Sequence, residues 1–109
     1  MEWLEKRGLK LLERNYRAGH KEIDLIMESD RRIHFVEVKS AVETEGFEPY
    51  EKVDARKQKL LASAAGRYIG CHHIEKECQF DVVSIKFRSG SSYTLEYIPE
   101  AFIPLYYGI

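Results

Sequence analysis

Two carboxylates stand in this chain where carboxylates are costly. Asp24 lies inside Ile23-Asp24-Leu25-Ile26 and Glu37 inside Phe35-Val36-Glu37-Val38-Lys39, and an unpaired charge buried in an apolar segment costs several kcal/mol. The two segments, Lys21 to Glu28 and Arg32 to Lys39, flank the polar turn Ser29-Asp30-Arg31-Arg32 and read as a β-hairpin. A turn centred between Asp30 and Arg31 sets Asp24 opposite Glu37 and Glu22 opposite Lys39. Opposed residues share a face, with Cβ atoms about 5 Å apart, so the two acids repel unless a cation lies between them. A hard divalent ion, Mg²⁺ or Mn²⁺, fits that requirement because it takes carboxylate oxygens and keeps waters. Lys39, two residues after Glu37, falls on the same face. It can orient an attacking water or balance charge developing on a phosphate, a combination suited to phosphodiester hydrolysis. The competing account is a salt-bridged surface hairpin with Glu22 paired to Lys39, and a one-residue slip in register would undo the convergence.

The elements that must position these groups follow from periodicity. Residues 2 to 7 read as the end of a helix stopped by Gly8, and Leu9 to Tyr16 as a strand. After the hairpin, residues 40 to 50 form a glutamate-rich loop with Gly46 and Pro49. From Glu51 to Ile69, Val53, Leu60, Leu61, Ala64, Ala65, Tyr68 and Ile69 recur at helical spacing, and Gly70 is placed to end the helix. Gln79 to Phe87 and Tyr93 to Ile98 read as strands around the turn Arg88-Ser89-Gly90-Ser91. Pro99 to Ile109 reads as an aromatic tail packing back on the body. The expected fold is α/β, a mixed sheet of about five strands with a short N-terminal helix and one long helix between the strand groups, in a single domain spanning 1–109.

Bulk composition narrows the classes of function. The 109 residues suffice for one core, and no apolar run approaches the roughly 20 residues of a membrane span. With no signal-like N-terminal stretch and only Cys71 and Cys78, the chain reads as cytoplasmic. The formal net charge of -1 supplies no global attraction for nucleic acid. The charge is unevenly spread, however. Residues 1 to 21 carry Lys6, Arg7, Lys10, Arg14, Arg17 and Lys21 against Glu2, Glu5 and Glu13, whereas 42 to 51 hold four glutamates and no base.

Lys57 falls on the apolar stripe of the long helix and either snorkels to its edge or, with Gln58 beside it, reaches the acidic face. Cys71, His72, His73 and Cys78 include ligand types but lack the paired knuckle of a structural zinc site, so a loop is the better account. Asp81 reads as a strand residue held by hydrogen bonds. Tyr93, Tyr97, Phe102, Tyr106 and Tyr107 read as packing residues rather than base-stacking platforms.

Asp24, twelve intervening residues and then Glu37-Val38-Lys39 resembles the D…E-x-K signature of the restriction-endonuclease-like nuclease fold. The wider string, Arg14-Asn15-Tyr16-Arg17, EIDLI, FVEVKS, Val53-Asp54-Ala55-Arg56-Lys57-Gln58, FDVVSI and Ile98-Pro99-Glu100-Ala101-Phe102, is similar to the YraN family over nearly the whole chain. Those bacterial proteins are predicted endonucleases related to archaeal Holliday-junction resolvases. The resemblance implies Asp24, Glu37 and the Val38 carbonyl as metal ligands and Lys39 as the catalytic lysine. Glu22, Lys57 and Gln58 are secondary candidates. It also matches Arg14, Asn15, Arg17 and His20 to a segment able to hold backbone phosphates.

Two departures stand out. Lys21 occupies a position where the family usually has glycine, and aligning Trp3-Leu4 with the family's aromatic-leucine pair puts its N-terminal glutamate before Met1, leaving Glu2 or Glu5 as stand-ins. The expected function is a Mg²⁺- or Mn²⁺-dependent endonuclease on DNA, with branched or structured DNA among its substrates and a homodimer suited to a four-way junction. The alternative is a nucleic-acid-binding module that keeps the fold with little catalysis.

Overall fold

Two hydrophobic spacings, alternate residues in the strands and a helical repeat after them, set the layers. In the computed structural model, which describes residues 2–42, 55–88, 90 and 92–103, the order is α1 (Glu2–Glu5), β1 (Lys10–Ala18), β2 (Lys21–Glu28), β3 (Arg32–Val42), α2 (Ala55–Cys71), β4 (Glu77–Phe87) and β5 (Tyr93–Phe102). The strands form one five-stranded sheet in the order β1-β2-β3-β4-β5. All neighbours are antiparallel except β3 and β4. A parallel pair needs a crossover, and α2 supplies it. The mixed sheet with one short and one long helix is the architecture read from the sequence.

Because strand side chains alternate, the sheet has two buried faces. On one, Leu61, Ala62, Ala64, Ala65 and Tyr68 of α2 pack on Ile26, Ile33, Phe35, Phe80 and Val82. On the other, Leu4 of α1 packs with Leu9, Leu25, Met27, Val36 and Val83. The Trp3 ring meets Tyr97 edge-on at 5.9 Å on that second face.

The central hairpin has the expected register, Leu25 opposite Val36, Ile26 opposite Phe35, Met27 opposite His34 and Glu28 opposite Ile33. The Ser29 N–H donates to the Arg32 carbonyl at 2.9 Å and closes the turn. That pairing stops at Leu25. Ile23 then packs on the α2 face although Leu25 and Met27, of the same parity, lie on the other. Strict alternation forbids this, so β2 must rotate about Asp24. The neighbouring strand bends as well, since Asn15 of β1 has a φ of 49°, a left-handed conformation that asparagine tolerates better than most residues.

Element bounds differ from the sequence reading in instructive ways. Gly70 does not end α2. The helix continues to Cys71 and closes with His73 at a φ of 51° and the Ile74 N–H on the Ile69 carbonyl at 3.0 Å. This is a Schellman closure with a non-glycine at the left-handed position, and Ile69 and Ile74 both pack against the core beneath it. β3 runs on to Val42 because β4 continues to pair with it as far as Val42 and Phe87. Residues 43–54, including the start expected for the long helix and most of the glutamate-rich loop, lie outside the described residues. Pro99 to Phe102 belong to β5 rather than to a packing tail, while 104–109 lie outside the described residues.

Asp81, with none of its surface exposed, ties β3, β4 and β5 together. Its Oδ2 accepts from His34 Nδ1 at 2.8 Å and the Tyr97 hydroxyl at 2.5 Å. Its Oδ1 accepts from Gln79 Nε2 at 2.7 Å and the Glu100 N–H at 3.0 Å. The last bond matters because the β4–β5 register shifts between Phe80 and Val82 and Glu100 has a φ of 48°. The carboxylate thus satisfies an amide that the bulge withdraws from the ladder. Burial alone would raise the Asp81 pKa, but the four donors outweigh it and lower it. The same contact and burial push the Tyr97 hydroxyl well up. Asp81→Leu strands these donors without an acceptor, and urea unfolding should show a loss of roughly 3–5 kcal/mol. A loss below about 1 kcal/mol would show that the network adds no more than an ordinary hydrogen bond.

Candidate metal centre

Where β2 leaves β3, a side chain takes over from the backbone. Asp24 Oδ2 accepts the Val38 N–H at 2.8 Å, so the carboxylate occupies a place that a carbonyl of a continuing strand would fill. The N–H and C=O of one strand residue point to the same side, so the Val38 carbonyl is aimed into the same opening. Its side chain packs on the opposite face of the sheet.

Glu37 is buried, 7% exposed, on the face covered by α2. Its Oε2 accepts no hydrogen bond from any described residue. Two ammonium groups flank it instead, Lys21 Nζ at 3.6 Å and Lys57 Nζ at 3.7 Å. Burial pushes the Glu37 carboxyl up to about 7, the hydrogen bond and negative charge of Asp24 add to the rise, and Lys21 and Lys57 pull the other way. The β2–β3 ladder ends one pair short of Asp24 and Glu37, so the two acids are neighbours rather than a ladder pair, and the proximity of Asp24 adds to what burial does to Glu37.

Of the other candidates, Lys57 reaches the acids from α2 rather than merely snorkelling, and Gln58 follows it, half-buried. Lys39 shares the parity of Glu37 and is half-buried, and its side chain forms no hydrogen bond or ion pair with another described residue. Glu22 is a correction. The β2–β3 ladder ends before it, so it does not face Lys39, and its partner is Arg17 on β1. Arg14, Asn15, Arg17 and His20 are all exposed on β1 and the β1–β2 turn. Glu2 and Glu5 belong to α1, whose Leu4 packs on the other face of the sheet.

Lys21 was not among the site residues read from the sequence. Simple alternation cannot find it, because only the rotation of β2 at Asp24 brings Lys21 and Ile23 onto the α2 face.

The oxygen donors suit a hard divalent cation. A buried carboxylate oxygen short of hydrogen bonds, a second carboxylate and an inward-aimed carbonyl are what Mg²⁺ or Mn²⁺ takes, with water completing the shell. Among the described residues there is no group of three or more histidine, cysteine, aspartate or glutamate side chains fit for a metal. Cys71 and Cys78 are free thiols, and His72 is engaged locally, stacked on Tyr68 at 4.0 Å with Nδ1 3.1 Å from the Tyr68 carbonyl.

One other arrangement has catalytic spacing. Ser29 Oγ lies 2.8 Å from His34 Nε2, whose Nδ1 meets Asp81. A serine nucleophile also needs an oxyanion hole, commonly including its own N–H, and the Ser29 N–H is engaged by Arg32. The set is a structural tie at the hairpin turn.

A five-stranded mixed sheet with one short and one longer helix, and an acid pair where its central hairpin opens, defines an α/β protein. The model of the uncharacterised protein family UPF0102 matches residues 1–85, and the chain belongs to that family. Similar members include the UPF0102 proteins of Clostridium perfringens, 38% identical over 105 residues (92% of this chain, 84% of the relative), and Chlorobium chlorochromatii, 36% identical over 105 residues (92% and 81%). That of Bacteroides thetaiotaomicron is 32% identical over 102 residues (94% and 84%). No helix among the described residues is long and apolar enough to cross a membrane.

The pKa of Glu37 fixes a pH signature. Its folded value, about 7, lies above the ordinary 4.5, so the folded state binds the extra proton and loses stability as pH rises from about 4.5 to about 7. Glu37→Gln keeps the neutral form at every pH. In metal-free buffer its melting temperature should match wild type near pH 4.5 and exceed it at pH 8.5, by roughly 1–3 kcal/mol in stability. A difference independent of pH would refute the raised pKa of Glu37.

Proposed function

We propose that the protein is a metal-dependent endonuclease that hydrolyses phosphodiester bonds in DNA, with branched or structured DNA as its preferred class of substrate. The observation that carries this reading is the buried Glu37 oxygen, short of hydrogen bonds, beside Asp24 and ringed by lysines. The resemblance of Asp24, Glu37 and Lys39 to the D…E-x-K nucleases and of the chain to the YraN family supports it.

In this reading Asp24, Glu37 and the Val38 carbonyl hold Mg²⁺ or Mn²⁺. The ion would supply the Lewis acidity that polarises a phosphoryl oxygen. Asp24 is already oriented by the Val38 N–H, which donates to its Oδ2 at 2.8 Å. Lys39 orients the attacking water and balances charge growing on the phosphate. Arg14, Arg17 and His20, all exposed, hold flanking backbone phosphates, and a net charge of -1 makes that affinity local and steeply salt dependent. A cytoplasmic setting suits both the DNA partner and two free thiols, and a homodimer would present two centres to a four-way junction.

A second reading is a DNA-binding module that keeps the fold with little catalysis. Both are tested on duplex, single-stranded, flap and four-way substrates with Mg²⁺ or Mn²⁺. Wild type should cut at least one class, and Asp24→Asn, Glu37→Gln and Lys39→Ala should each lower the rate by roughly 10²–10³-fold. Cleavage that survives Asp24→Asn and Glu37→Gln refutes the endonuclease. Metal-indifferent, salt-sensitive binding without cleavage establishes the module instead.

A further inference from the structure

Lys21 is held where a surface lysine has no need to be. It pairs with Ala18 beside the β1–β2 turn, its side chain is only 18% exposed, and its ammonium lies 3.6 Å from Glu37 Oε2. Lys57 reaches the same oxygen from α2 at 3.7 Å. Both separations exceed hydrogen-bonding distance, so the contacts are electrostatic. With both acids ionised, as metal ligation requires, two carboxylates and two ammonium groups balance in charge. Adding a divalent cation leaves an excess of two positive charges before Lys39 is counted, in a site largely removed from water. Such an excess is unfavourable unless an anion enters with the ion.

Resting on the metal-centre reading above, we propose that Lys21 is the internal counter-cation of Glu37 in the free protein, displaced by the divalent ion and taken up by a backbone phosphodiester of the substrate. Metal and phosphodiester binding are then cooperative, each strengthening the other by the same factor. Lys21 is a positioning residue in this scheme. It gives up Glu37 only when an anion is at hand, which keeps the centre weakly loaded until DNA arrives.

The test needs no turnover. Mn²⁺ is titrated calorimetrically into wild type, Lys21→Gln, Lys21→Ala and Lys21→Arg without DNA. Binding of a labelled phosphorothioate duplex is then followed by anisotropy with and without Mn²⁺. Removing the charge should tighten Mn²⁺ binding roughly tenfold in the Gln and Ala variants, while Arg keeps the wild-type affinity. Mn²⁺ should tighten duplex binding roughly tenfold in wild type and less than about threefold in Lys21→Gln. Unchanged or weaker Mn²⁺ binding in Lys21→Gln and Lys21→Ala overturns the role of Lys21 and leaves the metal centre standing. No Mn²⁺ binding by any of the four folded proteins overturns the metal centre and this inference together.

Discussion

The constraint on which the rest of the site depends is the burial of Glu37 directly beside Asp24. Two acids on one face of a hairpin, one of them largely dehydrated, repel each other, and the surrounding elements divide the task of tolerating that. The Val38 amide takes one Asp24 oxygen, and α2 and the β1–β2 hairpin each deliver one lysine to Glu37. Even so the carboxyl is pushed up to about 7, so the compensation is incomplete. Hydrophobic packing of α2 on Ile26, Phe35 and Val82 holds the face together against it.

The same place is where the sheet departs from regularity. β2 separates from β3 after Leu25, rotates about Asp24 and carries Ile23 and Lys21 onto the α2 face. Asn15, at a left-handed φ, lets β1 follow. This opening takes the Val38 N–H out of the β2–β3 ladder and gives it to the Asp24 carboxylate. Irregular backbone at a cluster of acids is the local cost of a site that can accept something from outside.

Much of this was legible in the residues. The alternation in β2 and β3, together with the turn around Asp30 and Arg31, fixes which residues oppose one another, and the helical stripe around Leu61, Ala65 and Tyr68 predicts the crossover. What was not legible depends on context. The place of Lys21 depends on a rotation that strict alternation does not encode, and the same rotation removes Glu22 from Lys39. Gly70 looked like the helix stop because glycine is the usual left-handed residue, yet the packing of Ile69 and Ile74 against the core and the hydrogen bond between their backbones set the end three residues later, at His73.

Comparison of the two buried acids separates a structural role from a chemical one. Asp81 and Glu37 both interrupt apolar strands, and both would be equally conspicuous in sequence. Asp81 accepts four hydrogen bonds and is held in its charged form more firmly than a free aspartate despite complete burial. Every lone pair it offers is directed at a named donor of the fold, so nothing further is required of it. Glu37 has an oxygen that accepts no hydrogen bond from a described residue, a like charge alongside and cations kept beyond bonding distance. Folding alone would favour replacing it with a neutral or apolar residue of similar size. Its presence there makes sense if the missing interaction comes from outside the chain, and two carboxylates side by side have the chemistry that a small, hard cation takes.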